Sequence, residues 1–179
     1  MHKNIAVLAG DGIGPEIITE AIKVLQAIEK KYNHSFSFEH ALIGAVAIDT
    51  TGNPLPKKTI ETCKSNDAIL FGAIGDPKYD NDPNAKVRPE QGLLTLRKKL
   101  NLYCNVRPVM IYENLINSSP LKRDRIEGVD LIIYRELTGG IYFGQKKEAY
   151  EKGVASDLCE YSKDEVLRVA HLALSLIHI

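Results

Sequence analysis

The apolar positions of this chain fall into two textures. Ile5-Ala6-Val7-Leu8-Ala9 is a short, continuous apolar run, the pattern of a strand buried on both faces. A glycine-rich turn, Gly10-Asp11-Gly12-Ile13-Gly14, leads into a helix predicted from about residue 15 to 31. Pro15 suits its first turn, Glu16 complements its dipole, and Ile18, Ala21, Ile22, Leu25 and Ile28 form its buried stripe. Ser35 to Ile43 reads as a second strand and Gly44 to Thr50 as a short helix closed by the turn Thr51-Gly52-Asn53-Pro54. A further helix runs from Pro56 to about Lys64, and a third strand from Asp67 to Ile74. This strand–helix alternation predicts a parallel α/β layer. Residues 75–89 form a long polar loop at the carboxyl edge of the third strand, where ligands bind in open α/β sheets. A mobile surface excursion would have the same composition.

After Tyr103 the texture changes. Asn105 to Ile111 and Asp130 to Arg135 read as strands, separated by an irregular polar segment with Pro120 and the basic run Lys122-Arg123-Asp124-Arg125. Gly139-Gly140-Ile141-Tyr142-Phe143-Gly144 predicts the start of a glycine-flexed strand, and Asp157 to Tyr161 a returning one. A hairpin over 141–161 with so little apolar surface needs a partner to be stable. Ser162-Lys163-Asp164-Glu165 has a capping-box arrangement and opens a helix that stays apolar to Leu176. That helix stops at His178-Ile179 without glycine, proline or a basic last turn, so it reads as cut and the chain as an N-terminal fragment. The expected division is 1–102 for part of a first α/β domain and 103–179 for part of a second, with a protruding β-arm near 141–161.

Composition narrows the function. The chain has 179 residues, 44% of them hydrophobic and 26% charged, which indicates a globular protein. Lys+Arg and Asp+Glu are 23 each, so the overall field favours neither nucleic acid nor an anionic membrane. No aromatic residues interleave the basic run, which reads as a solvated face. The three cysteines are scattered and show no metal-ligand spacing. With no signal-peptide core at the N-terminus, a reducing, cytoplasmic setting is expected. No apolar run reaches membrane-spanning length.

The candidate chemistry centres on Glu90-Gln91-Gly92-Leu93-Leu94-Thr95-Leu96-Arg97. As a helix over 90–99 it sets Glu90, Leu93 and Arg97 on one stripe, which suits a small anion carrying a hydrocarbon arm. An ordinary amphipathic helix whose arginine edges the core is the competing reading. Arg107 starts one predicted strand and Arg135 ends another, so the three arginines can clamp carboxylates if they converge; ion pairing with Glu136 or Glu90 is the alternative. Tyr142 stands near Arg135, where a phenol beside a guanidinium suits proton donation, although packing alone also places tyrosine in strands. The turn at 10–15 lacks the third glycine of a Rossmann fingerprint, because Pro15 stands there and removes a helix amide, which argues against a Rossmann fold.

Gly10-Asp-Gly-Ile-Gly-Pro-Glu16, Arg88-Pro-Glu-Gln-Gly-Leu-Leu-Thr-Leu-Arg97, Asn105-Val-Arg-Pro108 and Arg135-Glu-Leu-Thr-Gly-Gly-Ile-Tyr-Phe-Gly144 together resemble the β-decarboxylating dehydrogenase family, in its 3-isopropylmalate branch. The resemblance runs over almost the whole chain. It implies an isopropylmalate dehydrogenase-like α/β fold with a parallel or mixed sheet, here incomplete, and a dimerisation arm. It implies NAD-dependent oxidation of 3-isopropylmalate, followed by Mg²⁺- or Mn²⁺-assisted decarboxylation to 2-oxoisocaproate in leucine biosynthesis, by a homodimer. By motif position, Arg97, Arg107 and Arg135 would hold the malate carboxylates and Tyr142 would protonate the enolate carbon. Leu93, with Leu94 nearby, would pack on the isopropyl arm. Glu90 and the loop residues Gly75, Asp76, Pro77, Lys78, Tyr79, Arg88 and Pro89 would meet the nicotinamide-ribose side of NAD. The metal-binding aspartates, the catalytic lysine and the residue choosing NAD over NADP are expected downstream of Ile179, so the chain alone is expected to be inactive. Isocitrate, homoisocitrate or tartrate as substrate, or a non-catalytic regulatory subunit on the same scaffold, are the alternatives.

Overall fold

The computed structural model describes residues 1–82, 85–147, 149 and 153–178. Pro83 and Asn84 of the predicted loop, part of the predicted arm (148 and 150–152) and Ile179 lie outside the described residues. The chain divides into two compact units, Met1–Leu100 and Asn101–Ile179.

The first unit is built on β1 (His2–Gly10), which pairs in parallel with β2 (Ser35–His40) on one side and β3 (Ala68–Ala73) on the other. Alternate β1 residues feed two cores, as a doubly covered strand requires. Ile5 and Val7 join Ile18 of α1 (Gly14–Tyr32). Ala6 and Leu8 join Ile43, Leu55, Cys63 of α3 (Lys57–Ser65) and Leu96 of α5 (Pro89–Lys99). Ala6, Val7 and Leu8 are all 0% exposed. The glycine-rich turn serves close packing: a Cβ on Gly14 would lie 2.1 Å from the Ala9 carbonyl oxygen, so α1 can approach β1 only because that position is bare. β2 ends at His40, three residues short of the predicted strand, and the chain then turns Ile43 into the core. The loop predicted over 75–89 also contains a helical turn, α4 (Pro77–Asp80). Asp76 caps it by accepting from Lys78 N at 2.9 Å, and Pro77 opens it, a local N-terminal signature that works even in a four-residue helix.

In the second unit, β4 (Cys104–Met110) and β5 (Asp130–Glu136) form an antiparallel pair, and α7 (Lys163–Ser175) packs along β5. The connection from β4 to β5 is less irregular than its composition suggests. It holds a 3-10 turn over Glu113–Ser118 and α6 (Arg123–Ile126), whose exposed Arg123 pairs with Glu127 at 3.0 Å. The predicted capping box of α7 forms: Ser162 Oγ accepts from Glu165 N at 3.3 Å, and the Glu165 carboxylate accepts from Ser162 N at 2.7 Å.

Two predicted strands are corrected. Gly140–Tyr142 is a 3-10 turn, because the Glu136 carboxylate captures the amides of Thr138 and Gly139 and curls the chain away from extension. Among the described residues the returning strand shrinks to β7 (Ser156–Asp157), which pairs with β6 (Lys146–Lys147), since exposed lysines and a serine offer no apolar face to extend the ladder.

Candidate active site

Helix α5 carries two neighbouring stripes with different fates. Pro89, Gly92 and Leu96 form the buried one, with Leu96 2% exposed. Gly92 lies so close to the Pro54 turn that a Cβ would sit 2.6 Å from the Pro54 oxygen. The predicted stripe flanks it: Glu90 is exposed, and Leu93 and Arg97 are half-buried. Leu96 therefore seats the helix and leaves Leu93 beside the core rather than in it. The Glu90 carboxylate reaches Gly75, whose absent Cβ would lie 3.2 Å from Oε1. Two residues predicted on one cofactor surface thus adjoin.

The segment after β3 is tied down at several points. Buried Asp11 accepts Gly75 N at 3.1 Å and Ala45 N at 2.8 Å through Oδ2, and Val46 N at 3.0 Å through Oδ1. It thereby joins the glycine-rich turn to the start of α2 (Ala45–Thr51) and to Gly75. At the far end of α2, Asp49 accepts from Lys78 Nζ at 2.5 Å and Tyr79 Oη at 2.7 Å. The Lys78 and then the Tyr79 hydrogen bond hold the Asp49 carboxyl below its usual range, while the same Asp49 contacts push the Lys78 ammonium and the Tyr79 phenol up. Arg88 donates from Nη1 to the Tyr79 carbonyl at 3.3 Å and lies 3.9 Å from Asp80. Lys78, Tyr79 and Arg88, the predicted cofactor contacts, each have a partner within this segment or on α2.

In the second unit, the register sets Asn105 opposite Arg135 and Arg107 opposite Ile133. Arg107 and Arg135 are therefore diagonal neighbours on one sheet face. Arg107 is exposed and donates to Asn105 Oδ1 at 2.5 Å. Arg135 donates to the Tyr142 hydroxyl, and its guanidinium stands 5.2 Å from the centre of that ring. The pairing weighed for Arg135 with Glu136 belongs instead to Arg168, whose Nη2 meets Glu136 Oε1 at 2.5 Å and whose guanidinium lies 4.7 Å from the Tyr103 ring centre. Burial pushes the Glu136 carboxyl up, but the bonds from Gly139 N, the Thr138 hydroxyl, Arg168 and Thr138 N outweigh it and leave it below the usual range. Strand alternation separates these duties: Arg135 faces Tyr142, while Glu136 anchors the turn that carries it.

Arg97 and Leu93 belong to the first unit; Arg107, Arg135 and Tyr142 belong to the second. Among the described residues, no group of three or more His, Cys, Asp or Glu side chains is arranged to hold a metal ion. No helix among them is long and apolar enough to cross a membrane. From sequence, Asp11, Asp49 and Arg168 had no assigned role, and Glu136 entered only as an alternative ion-pair partner of the arginines. Asp11 had a signal, as a carboxylate inside a glycine turn, whereas Asp49 and Arg168 had none.

Known proteins are similar to this chain over nearly its whole length. The 3-isopropylmalate dehydrogenase of Bacteroides fragilis is 51% identical over 169 residues, covering 94% of this chain and 47% of that protein. That of Bacillus caldotenax is 50% identical over 174 residues, covering 96% and 47%. An isocitrate dehydrogenase structure from Methylococcus capsulatus superposes with a TM-score of 0.78 at 28% identity, covering 99% of this chain and 48% of that one. A β-decarboxylating dehydrogenase from Thermococcus kodakarensis, in its apo form, gives 0.66 at 31% identity, covering 97% and 45%. The chain thus spans about half the length of the relatives it matches. Residues 4–178 match the isocitrate/isopropylmalate dehydrogenase family, and the chain belongs to that family.

Proposed function

We propose that this chain contributes the substrate-selecting part of an NAD-dependent 3-isopropylmalate dehydrogenase of leucine biosynthesis, working in the cytoplasm as a homodimer. The observation that carries the reading is the α5 flank, where an apolar Leu93 stands between the Glu90 carboxylate and the Arg97 guanidinium. A substrate with carboxylates and a branched hydrocarbon arm needs that combination, and burying the arm is worth about 1–3 kcal/mol. Isocitrate presents a third carboxylate, to which a leucine offers no hydrogen bond.

In this reading Arg97, Arg107 and Arg135 hold the substrate's carboxylates as charge-assisted pairs. Bound NAD supplies the hydride acceptor for the hydroxyl-bearing carbon. Glu90 can accept hydrogen bonds from ribose hydroxyls, and bare Gly75 beside it leaves room for a ribose to approach. Tyr142 delivers a proton to the carbon that loses carbon dioxide, and Arg135 fixes its hydroxyl in place. Among the described residues no cluster of His, Cys, Asp or Glu side chains fits the Mg²⁺ or Mn²⁺ that the resemblance implies, so no step here runs through a metal. We assign its ligands to the length that the relatives have and this chain does not span. Arm residues near 141–161 supply the contact with a second subunit.

The test is NAD reduction by the full-length protein with 3-isopropylmalate and with isocitrate. The expected result is turnover of 3-isopropylmalate far above isocitrate, and none by the 179-residue chain alone. Faster turnover of isocitrate would overturn the substrate assignment, and a dehydrogenase rate from the chain alone would overturn the need for the remaining length.

A further inference from the structure

Lys78 and Tyr79 stand where the family resemblance predicts contacts with the cofactor, yet both side chains converge on one carboxylate, Asp49 of α2. The geometry behind this is a pair of carboxylate clamps. On α2, Ala45 and Asp49 are four residues apart; after β3, Gly75 and Tyr79 are also four apart, and α4 is helical. Ala45 and Asp49 lie about one helical turn apart, roughly 6 Å, whereas Gly75 and Asp76 are non-helical and lead into the turn of α4 that carries Lys78 and Tyr79. Two carboxylates tie the segments together at their two ends. Asp11 takes the amides of Ala45 and Gly75 at 2.8 and 3.1 Å, and Asp49 takes Lys78 Nζ and Tyr79 Oη at 2.5 and 2.7 Å. Arg88 closes the far side through the Tyr79 carbonyl at 3.3 Å.

The side chains of Asp49 and Lys78 are 48% and 55% exposed. Exposed ion pairs add little to global stability, so the consequence of this one is local: it fixes where the backbone of Gly75 to Asp80 runs. Gly75 in turn sits against Glu90. We propose that Asp49 is a positioning residue for the cofactor, aligning the Gly75–Asp80 segment through Lys78 and Tyr79, which therefore act through Asp49 and do not themselves hold the cofactor. This rests on the reading above that Glu90 and the 75–80 segment face NAD.

The experiment compares D49N, K78M, Y79F and the double variant D49N/K78M in the full-length protein. It reads KM for NAD, KM for 3-isopropylmalate, kcat and the Kd of NADH. D49N is expected to raise the NAD KM and the NADH Kd about two- to fivefold, with kcat and the other KM nearly unchanged. K78M should match it, and the double variant should be no worse than either single change. A K78M effect well beyond that of D49N, adding in full in the double variant, would overturn the proposal by showing that Lys78 touches the cofactor. So would an unchanged NAD KM in D49N where K78M or Y79F raises it. Amide hydrogen exchange over 75–80 needs neither cofactor nor activity: D49N should speed exchange there and leave β1 protected, and unchanged exchange contradicts the proposal. If the segment loosens as expected while NADH binding is unmoved by any of the variants, the positioning holds and the assignment of the segment to NAD fails.

Discussion

β1 and β5 carry similar apolar sequences and meet opposite environments. Ile5 to Leu8 of β1 are all buried, whereas Leu131, Ile132 and Ile133 of β5 are 44%, 44% and 49% exposed. The difference is in what surrounds them. β1 has a parallel neighbour on each side, α1 against one face, and α3 and α5 against the other. Among the described residues β5 has one strand neighbour, β4, and α7 packed along it. An apolar run therefore shows a capacity for burial, and the number of layers around it decides whether that capacity is used. The site residues follow the same division. Those on α5 are held by a core the first unit builds for itself, while Arg107 and Tyr142 stand on exposed surface and depend on polar anchors.

The largest effect that sharpens this contrast is at Tyr142. In the full-length protein, Y142F is expected to slow decarboxylating turnover about 10²–10⁴-fold, the usual range for loss of a positioned proton donor. Pre-steady-state separation of NADH formation from carbon dioxide release checks it: a variant that loses both equally, or neither, breaks the assigned role.

Next comes Leu96. L96A should destabilise the first unit by about 2–5 kcal/mol, the range for emptying a well-packed leucine site. L93A on the neighbouring stripe should stay below about 1.5 kcal/mol, because Leu93 is only half-buried. Denaturant unfolding that gives the reverse order would mean that the two stripes of α5 have been confused.

Glu136 tests the polar anchoring of the second unit. Its carboxyl is held below the ordinary range in the folded state. The stability this confers is present above the unfolded carboxylate pKa, about 4.3, and is lost as pH falls through the folded value. E136Q should remove about 1–3 kcal/mol at neutral pH and flatten the acid limb of the stability profile. An unchanged acid limb would place the titrating group elsewhere. The smallest effect is expected at Ile132: I132A in the 179-residue chain should change stability by less than about 0.5 kcal/mol, against a loss several times larger for V7A.

This contrast also explains what the sequence disclosed. β1, α1, α5 and the Ser162 cap were readable because their signals are local: a run, a stripe, a capping spacing. The α4 turn carried the local signature Asp76-Pro77 and was obscured by the polar loop around it. The 3-10 turn at 140–142 was not readable, because it depends on a carboxylate at Glu136 and on Tyr161, whose hydroxyl lies 2.2 Å from where a Gly140 Cβ would be. Asp49 meets its partners 29 and 30 residues away, and no periodicity announces such a contact. Arg135 was readable as a strand-end arginine, whereas Arg107, expected at a strand start, lies in the middle of β4, and the common face of the two required the register of β4 on β5.

The central claim is that α5 selects its substrate through Leu93, seated by Leu96. The most direct test is the ratio of kcat/KM for 3-isopropylmalate to kcat/KM for isocitrate, measured on L93S in the full-length protein. The ratio is predicted to fall about tenfold or more, as a lost apolar contact for the isopropyl arm requires. A ratio that stays constant while both activities decline together would contradict it.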